Sequence, residues 1–183
     1  MAKTAQHPVL VIMGVSGSGK STVAGLLARR LGWDFAEGDD LHPEANVAKM
    51  HAGQPLTDAD RRPWLESIAG WIRQHTDAGI PGVVTCSALK KRYRDVLRGD
   101  GVVFVFLDGS KDRISDRLAT RLGHFMPASL LESQFEALEA PTADENFITL
   151  SASLAPADEV QEIIDRLDLR AIGVSEALDP DRP

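Results

Sequence analysis

The sequence has little of the material that defines several other classes of protein. Cys86 is the one cysteine in 183 residues, so the chain cannot form an internal disulfide and does not resemble a small secreted scaffold. Positive charge is also scarce, because 20 lysine and arginine residues stand against 27 aspartate and glutamate residues and leave a formal net charge of −7 at pH 7. A nucleic acid or an anionic membrane would meet net repulsion, so we expect neither as a partner.

Long hydrophobic runs are missing near the N-terminus as well. The apolar stretch VLVIMGV, residues 9–15, is too short to span a bilayer, and no small-residue cleavage site follows it. Hydrophobic residues make up 43% and charged residues 26% of the chain, the proportions of an ordinary globular protein. We therefore expect one cytoplasmic domain over 1–170 and a poorly ordered tail over 171–183.

Short β-branched or aromatic runs alternate along the chain with longer segments of helical period. This alternation predicts an α/β protein with a parallel sheet. The stretch 42–78 is longer than a crossover helix requires, and we expect it to be a substrate-binding flap. Two helical segments over about 110–140 follow the fourth strand, and we expect them to form a lid. The five candidate strands are 9–13, 33–37, 82–86, 102–107 and 146–150.

The glycine-rich stretch GVSGSGKS, residues 14–21, lies between the first strand and a helical segment. It matches the pattern G-x-x-x-x-G-K-S/T, in which glycines let successive backbone N–H groups converge on an anion at a helix N-terminus. The alternative is a glycine-rich turn with an exposed lysine, but the flanking strand and helix are the context that phosphate binding requires. The residues predicted to contact a nucleotide are Gly14, Val15, Ser16, Gly17, Ser18, Gly19, Lys20, Ser21 and Thr22. Within this loop, Lys20 would reach the β- and γ-phosphate oxygens and Ser21 would coordinate Mg²⁺.

Polar residues at the carboxyl edge of the sheet predict a second ligand beside the nucleotide. Asp39, in EGDDLHP after the second strand, could accept the proton of an attacking hydroxyl or hold a metal-bound water. The alternative is that Asp39 or Asp40 caps the next helix.

Basic residues supply candidates for binding an anionic acceptor. Arg61 offers a guanidinium for a carboxylate, with a surface salt bridge as its alternative, and Ser87 and Arg92 follow the third strand near the same edge. Arg117 and Arg121 share one face of the first lid helix and could stabilise charge on the transferred phosphoryl group, or could form a solvated face.

Four segments in order resemble the signature blocks of the small P-loop gluconokinases, which phosphorylate D-gluconate. They are GVSGSGKST, EGDDLHPEANVAKMHAGQPLTDADRRPWL, TCSALKKRYRDVLR and RLGHFMPASLLESQFEALEAP, and the match extends from Val9 to Pro141. The resemblance implies a three-layer P-loop kinase fold with a five-stranded parallel sheet and a helical lid. It also implies ATP and Mg²⁺, 6-phosphogluconate as the product, entry of sugar-acid carbon into the pentose phosphate pathway, and a homodimer.

The same resemblance assigns residues to roles. It adds Arg117 and Arg121 from the lid and implies that the stretch from Ser151 lies against the adenine. Together with the reasoning from the residues, we expect Lys20, Asp39, Arg117 and Arg121 to be catalytic and Ser21 and Asp39 to hold the metal. The residues implied around the sugar acid are Asp39, His42, Lys49, Arg61, Ser87 and Arg92. Residue reasoning alone leaves His42 open as a structural histidine.

Two alternative functions remain at this point. A kinase for a related small acid, such as shikimate, would be distinguished by comparing ATP consumption with each acid. A nucleotide-binding switch would bind ATP without an acceptor, although the acidic and basic residues at the sheet edge disfavour it.

Overall fold

The computed structural model describes residues 7–120 and 128–172. Within them five parallel strands form one sheet in the order β2-β3-β1-β4-β5. The strands are β1 (Val9–Met13), β2 (Asp34–Ala36), β3 (Gly82–Thr85), β4 (Val102–Asp108) and β5 (Phe147–Ser151). The helices are α1 (Lys20–Leu31), α2 (Glu44–His51), α3 (Asp58–Ala78), α4 (Lys91–Leu97), α5 (Lys111–Thr120), α6 (Ala128–Ala137) and α7 (Pro156–Leu167).

Helices cover both faces of the sheet, because the strands are apolar on both sides. All five residues of β1 are fully buried. Leu10 and Ile12 pack with α1 and α7 on one face, whereas Val9, Val11 and Met13 pack with α3 and α4 on the other. The predicted α/β fold with a five-stranded parallel sheet between helical layers is confirmed.

The strand order determines where a ligand can bind. β1 lies in the middle of the sheet, and its neighbours β3 and β4 both come later in the chain. The strand order therefore runs outward from β1 in both directions, through β3 to β2 on one side and through β4 to β5 on the other. Parallel α/β sheets bind ligands at the crevice created by such a change of direction.

The stretch 42–78 divides into two helices in the structure. A 3₁₀ turn (Gly38–Leu41) leads into α2, and α3 begins at a capping box in which Thr57 and Asp60 bond each other's backbone N–H groups. Most of α3 packs against the sheet through residues such as Ile68 and Ile72, so only its first turns reach the crevice. The flap over 42–78 stays a prediction.

No strand end differs from the prediction by more than one residue. The predicted strand 33–37 is reduced to Asp34–Ala36, because β2 pairs only with β3 and lies at the edge of the sheet. β1 has the predicted limits, and the other three differ by a single residue at one or both ends. No helix among the described residues is long and apolar enough to cross a membrane. The predicted tail is described only as far as residue 172.

Candidate active site

The phosphate-binding loop between β1 and α1 depends on glycine at two close approaches. Gly17 has φ of +80°, and a Cβ there would lie 2.8 Å from the Leu118 side chain of α5. Gly14 has φ of +145°, and a Cβ there would lie 2.9 Å from the Leu107 carbonyl oxygen. Larger residues would push the loop away from both neighbours, so the glycines set its path.

The N-terminus of α1 fits an anion. Gly19 precedes the helix, no side chain caps it, and its first turn contains no acidic residue. The buried Ser18 hydroxyl has no hydrogen-bond partner among the described residues, which leaves a polar atom at the loop to be satisfied. This loop and helix end therefore fit the phosphates of a nucleotide.

Lys20 lies at the start of α1 with its ammonium turned back over the loop. Its Nζ donates to the Val15 carbonyl oxygen at 3.0 Å, and an ammonium has three protons to donate. Burial lowers the pKa of Lys20, and the nearby carboxylates of Asp39 and Glu37 oppose that shift. A phosphate group would favour the charged form further.

A carboxylate that the sequence analysis did not select lies beside Ser21. The Ser21 hydroxyl donates to Glu37 Oε1 at 2.8 Å, and the Thr85 hydroxyl donates to the same oxygen. Thr85 also accepts the Gly38 N–H at 3.0 Å, which ties the end of β2 to β3. A hydroxyl next to a carboxylate provides the oxygen ligands that Mg²⁺ takes, usually together with substrate phosphates. Within the described residues no group of three acidic, histidine or cysteine side chains forms a complete metal site.

Asp39 lies in the 3₁₀ turn and lines the same cavity as Lys20 and Ser21. The capping alternative does not hold, because α2 begins after Pro43 and no side chain caps it. A hydrogen bond joins this turn to α3, because Trp64 Nε1 donates to the Gly38 carbonyl oxygen at 2.7 Å.

His42 and Arg61 face the cavity next to Asp39. The His42 ring stacks on Trp64 with centroids 4.3 Å apart. Burial lowers the pKa of His42, the carboxylate of Asp39 opposes this, and Arg61 adds to it. Arg61 donates through Nη1 to the Leu56 carbonyl oxygen at 2.7 Å.

Two predicted substrate ligands lie outside the cavity lining. Lys49 pairs with Asp60 at 2.8 Å, and Arg92 pairs with Asp58. Asp58 also accepts the Tyr93 hydroxyl, so these contacts join the first turn of α3 to α4.

Contacts from α5 and α6 reach the phosphate-binding loop. Arg117 donates through Nη1 to the Ser18 carbonyl oxygen at 3.4 Å and through Nη2 to the Ala152 carbonyl oxygen, so it does not belong to a solvated face. Gln134 bonds both the backbone and the hydroxyl of Ser16. Arg121 lies outside the described residues.

The phosphate-binding loop, Asp39 and the residues near it border a cavity of about 710 Å³. Its lining includes most of the predicted loop together with Asp39, His42, Arg61 and Ser87. The lining residues that sequence reasoning missed are Glu37, Met50, Leu56, Trp64, Thr85, Cys86, Leu118, Leu130 and Gln134. Glu37 could have been found from its place directly after a strand, whereas the apolar members carry no recognisable motif.

Comparison with known proteins assigns the class and then the family. The family model described as shikimate kinase matches residues 16–168, and with the loop and sheet described above it places the chain among the P-loop kinases. A gluconokinase of Gluconobacter oxydans (strain 621H) is 56% identical over 157 residues, which cover 85% of this chain and 88% of that protein. The chain belongs to the gluconokinase family, as the resemblance indicated.

Solved structures agree with this assignment. A gluconokinase from Sinorhizobium meliloti 1021 has a TM-score of 0.81 and 43% identity, and the alignment covers 91% of this chain and 94% of that one. An unliganded sugar kinase from Janibacter sp. HTCC2649 has a TM-score of 0.82 and 48% identity, with 88% and 95% covered.

Proposed function

We propose that this protein transfers the terminal phosphoryl group of ATP to the 6-hydroxyl of D-gluconate, giving 6-phospho-D-gluconate and ADP. The observation that carries the proposal is that the phosphate-binding loop lines the same cavity as Asp39, His42 and Arg61. The similarity to gluconokinases at 43–56% identity supports the choice of acceptor.

The nucleotide half of the site is built from residues 14–22. Backbone N–H groups of this loop other than that of Ser16, which donates to Gln134, bind the phosphates together with the Lys20 ammonium. Arg117, with Arg121, neutralises charge on the transferred group. Ser21, together with Asp39 or Glu37, would hold Mg²⁺, which would supply positive charge to the phosphates.

The acceptor half binds and orients the sugar acid. The Arg61 guanidinium suits the carboxylate of gluconate, while His42 and Ser87 bind its hydroxyls. Asp39 orients the 6-hydroxyl and accepts its proton as the new bond forms. Lys49 and Arg92 remain predictions, since each would have to leave its ion pair to reach the substrate.

A coupled assay of ADP release tests the proposal with gluconate, shikimate and other sugar acids as acceptors. We expect gluconate to give the highest kcat/KM. Lys20→Ala should lower it by about 100-fold or more, because a charged donor to the phosphates is lost. Arg29→Ala is the matched control, since Arg29 is exposed at the opposite end of the same helix.

Three other results would contradict the proposal. A preference for shikimate would favour the other activity that the matched family model suggests. Tight ATP binding that no acid converts into turnover would favour a nucleotide switch. Near wild-type activity in Lys20→Ala would exclude the loop as the phosphate site.

The remaining expectations are a Mg²⁺ requirement, a homodimer, a cytoplasmic location, a flap within 42–78 and a lid within about 110–140. Chelation of the metal should abolish turnover, and light scattering should give twice the chain mass of 19.8 kDa.

A further inference from the structure

One side chain connects α6 directly to the phosphate-binding loop. Gln134 Oε1 accepts the backbone N–H of Ser16 at 2.8 Å, and Gln134 Nε2 donates to Ser16 Oγ at 3.0 Å. The two residues are 118 positions apart in the chain, and both line the candidate active site.

The direction of these two bonds follows from elementary chemistry. A backbone N–H can only donate, so the carbonyl oxygen of the Gln134 amide must face it. The amide NH₂ group must then face the Ser16 hydroxyl, whose oxygen accepts. The hydroxyl proton of Ser16 is therefore left to donate to a different partner.

Packing around α6 holds Gln134 in place for this role. Leu131, one turn earlier on α6, is buried in an apolar cluster with Val15 of the loop and Ile114 of α5. Lys111 of α5 also pairs with Glu132 of α6 at 2.6 Å. These contacts fix α6, and with it the Gln134 side chain, against the loop before any ligand binds.

We propose that Gln134 is a positioning residue that makes the Ser16 hydroxyl a hydrogen-bond donor towards the terminal phosphate of the bound nucleotide. Gln134 acts through Ser16 and need not touch the phosphate. The inference rests on the proposed function only in taking the ligand to be a nucleoside triphosphate.

Substitutions at both ends of the contact test this arrangement. Gln134→Met keeps the length of the side chain and removes both bonds. Gln134→Glu keeps an acceptor for the Ser16 N–H, but its second oxygen can only accept, so the Ser16 proton turns away from the ligand. Ser16→Ala removes the hydroxyl and leaves α6 unchanged. Ser133→Ala is the control, because the exposed Ser133 hydroxyl donates within α6, to the Leu130 carbonyl oxygen.

The main measurement is the affinity for a non-hydrolysable ATP analogue by calorimetry, together with KM for ATP, KM for gluconate and the urea midpoint without ligand. We expect the affinity for the analogue to fall by about 10- to 100-fold in Gln134→Met, Gln134→Glu and Ser16→Ala. This is the range for the loss of a hydrogen bond to a charged group. KM for gluconate and the urea midpoint should change little, as in Ser133→Ala.

A double-mutant cycle decides between positioning and packing. In the Ser16→Ala background, Gln134→Met should lower the affinity for the analogue by less than about threefold, because the hydroxyl that Gln134 orients is already absent. Additive losses, or Ser16→Ala binding as well as wild type, would overturn the inference. Absence of gluconate turnover in the wild type would instead refute the proposed function and leave this binding test intact.

Discussion

The buried ion pair between Arg94 and Glu145 gives a quantitative stability prediction. Their side chains are 0% and 1% exposed, and two hydrogen bonds join them, at 2.6 Å from Nε and 3.1 Å from Nη2. Arg94 Nη1 also donates to the carbonyl oxygens of Ala88 and Leu89 at 2.9 and 3.3 Å. The guanidinium therefore holds the loop after β3, where Ala88 has φ of +45°.

Arg94→Met should lower the free energy of unfolding by about 4 kcal/mol. Removing one partner of a buried pair costs about 3–5 kcal/mol, because the remaining charge stays away from water. The two carbonyl oxygens also lose their donor. Glu145 keeps the Thr142 N–H at 3.0 Å and the Lys91 ammonium at 3.9 Å, so the loss should not exceed that range.

Urea unfolding at neutral pH without ligand measures this loss. The control is Arg98→Met, because Arg98 is about half exposed and its ion pair with Asp95 lies at the surface. The double variant Arg94→Met with Glu145→Gln should recover part of the stability, since no buried charge is then unpaired. A loss below about 1 kcal/mol in Arg94→Met, or no recovery in the double variant, would refute the reasoning.

Two further predictions concern close packing and pH. Gly38→Ala should destabilise the protein by about 3 kcal/mol or more in urea unfolding, because its Cβ would lie 1.9 Å from the Thr85 carbonyl oxygen, whereas Gly25→Ala, with no atom within 4 Å, should be neutral or stabilising. Burial raises the pKa of Glu159 from 4.5 to about 7, against the opposing charge of Arg117. Wild type should therefore lose up to about 3 kcal/mol between pH 5 and pH 8, and Glu159→Gln should remove that dependence.

Each of these has a contradicting outcome. Equal stability of Gly38→Ala and Gly25→Ala would show that the turn after β2 can move away from β3. A wild-type stability that stays constant over this pH range would show that the carboxyl on α7 is ionised in the folded protein.

The sheet and the phosphate-binding loop were predictable because their signals are local. A run of apolar residues followed by the glycine pattern gave β1 its limits, and no distant contact changes them. β2 was overestimated because its length depends on pairing with β3, which lies more than forty residues away. Strand ends of this kind are decided by the partner strand, and the sequence of one strand does not contain that information.

The site was predictable in its outline and not in its pairings. Sequence reasoning brought Lys20 and Asp39 to one edge, because parallel strands end there. It could not foresee that Lys49 pairs with Asp60. It also passed over Gln134, whose amide acquires a role only when α6 lies against the loop.

The position of β1 in the sheet affects the order in which parts of the protein unfold locally. β1 is bonded on both sides and fully buried, so the amide protons at the root of the nucleotide loop should exchange only through global opening. β2 has three residues and one neighbour, and Asp39 comes three residues after its end. Warming should therefore free the acceptor side of the cleft while the nucleotide side stays folded.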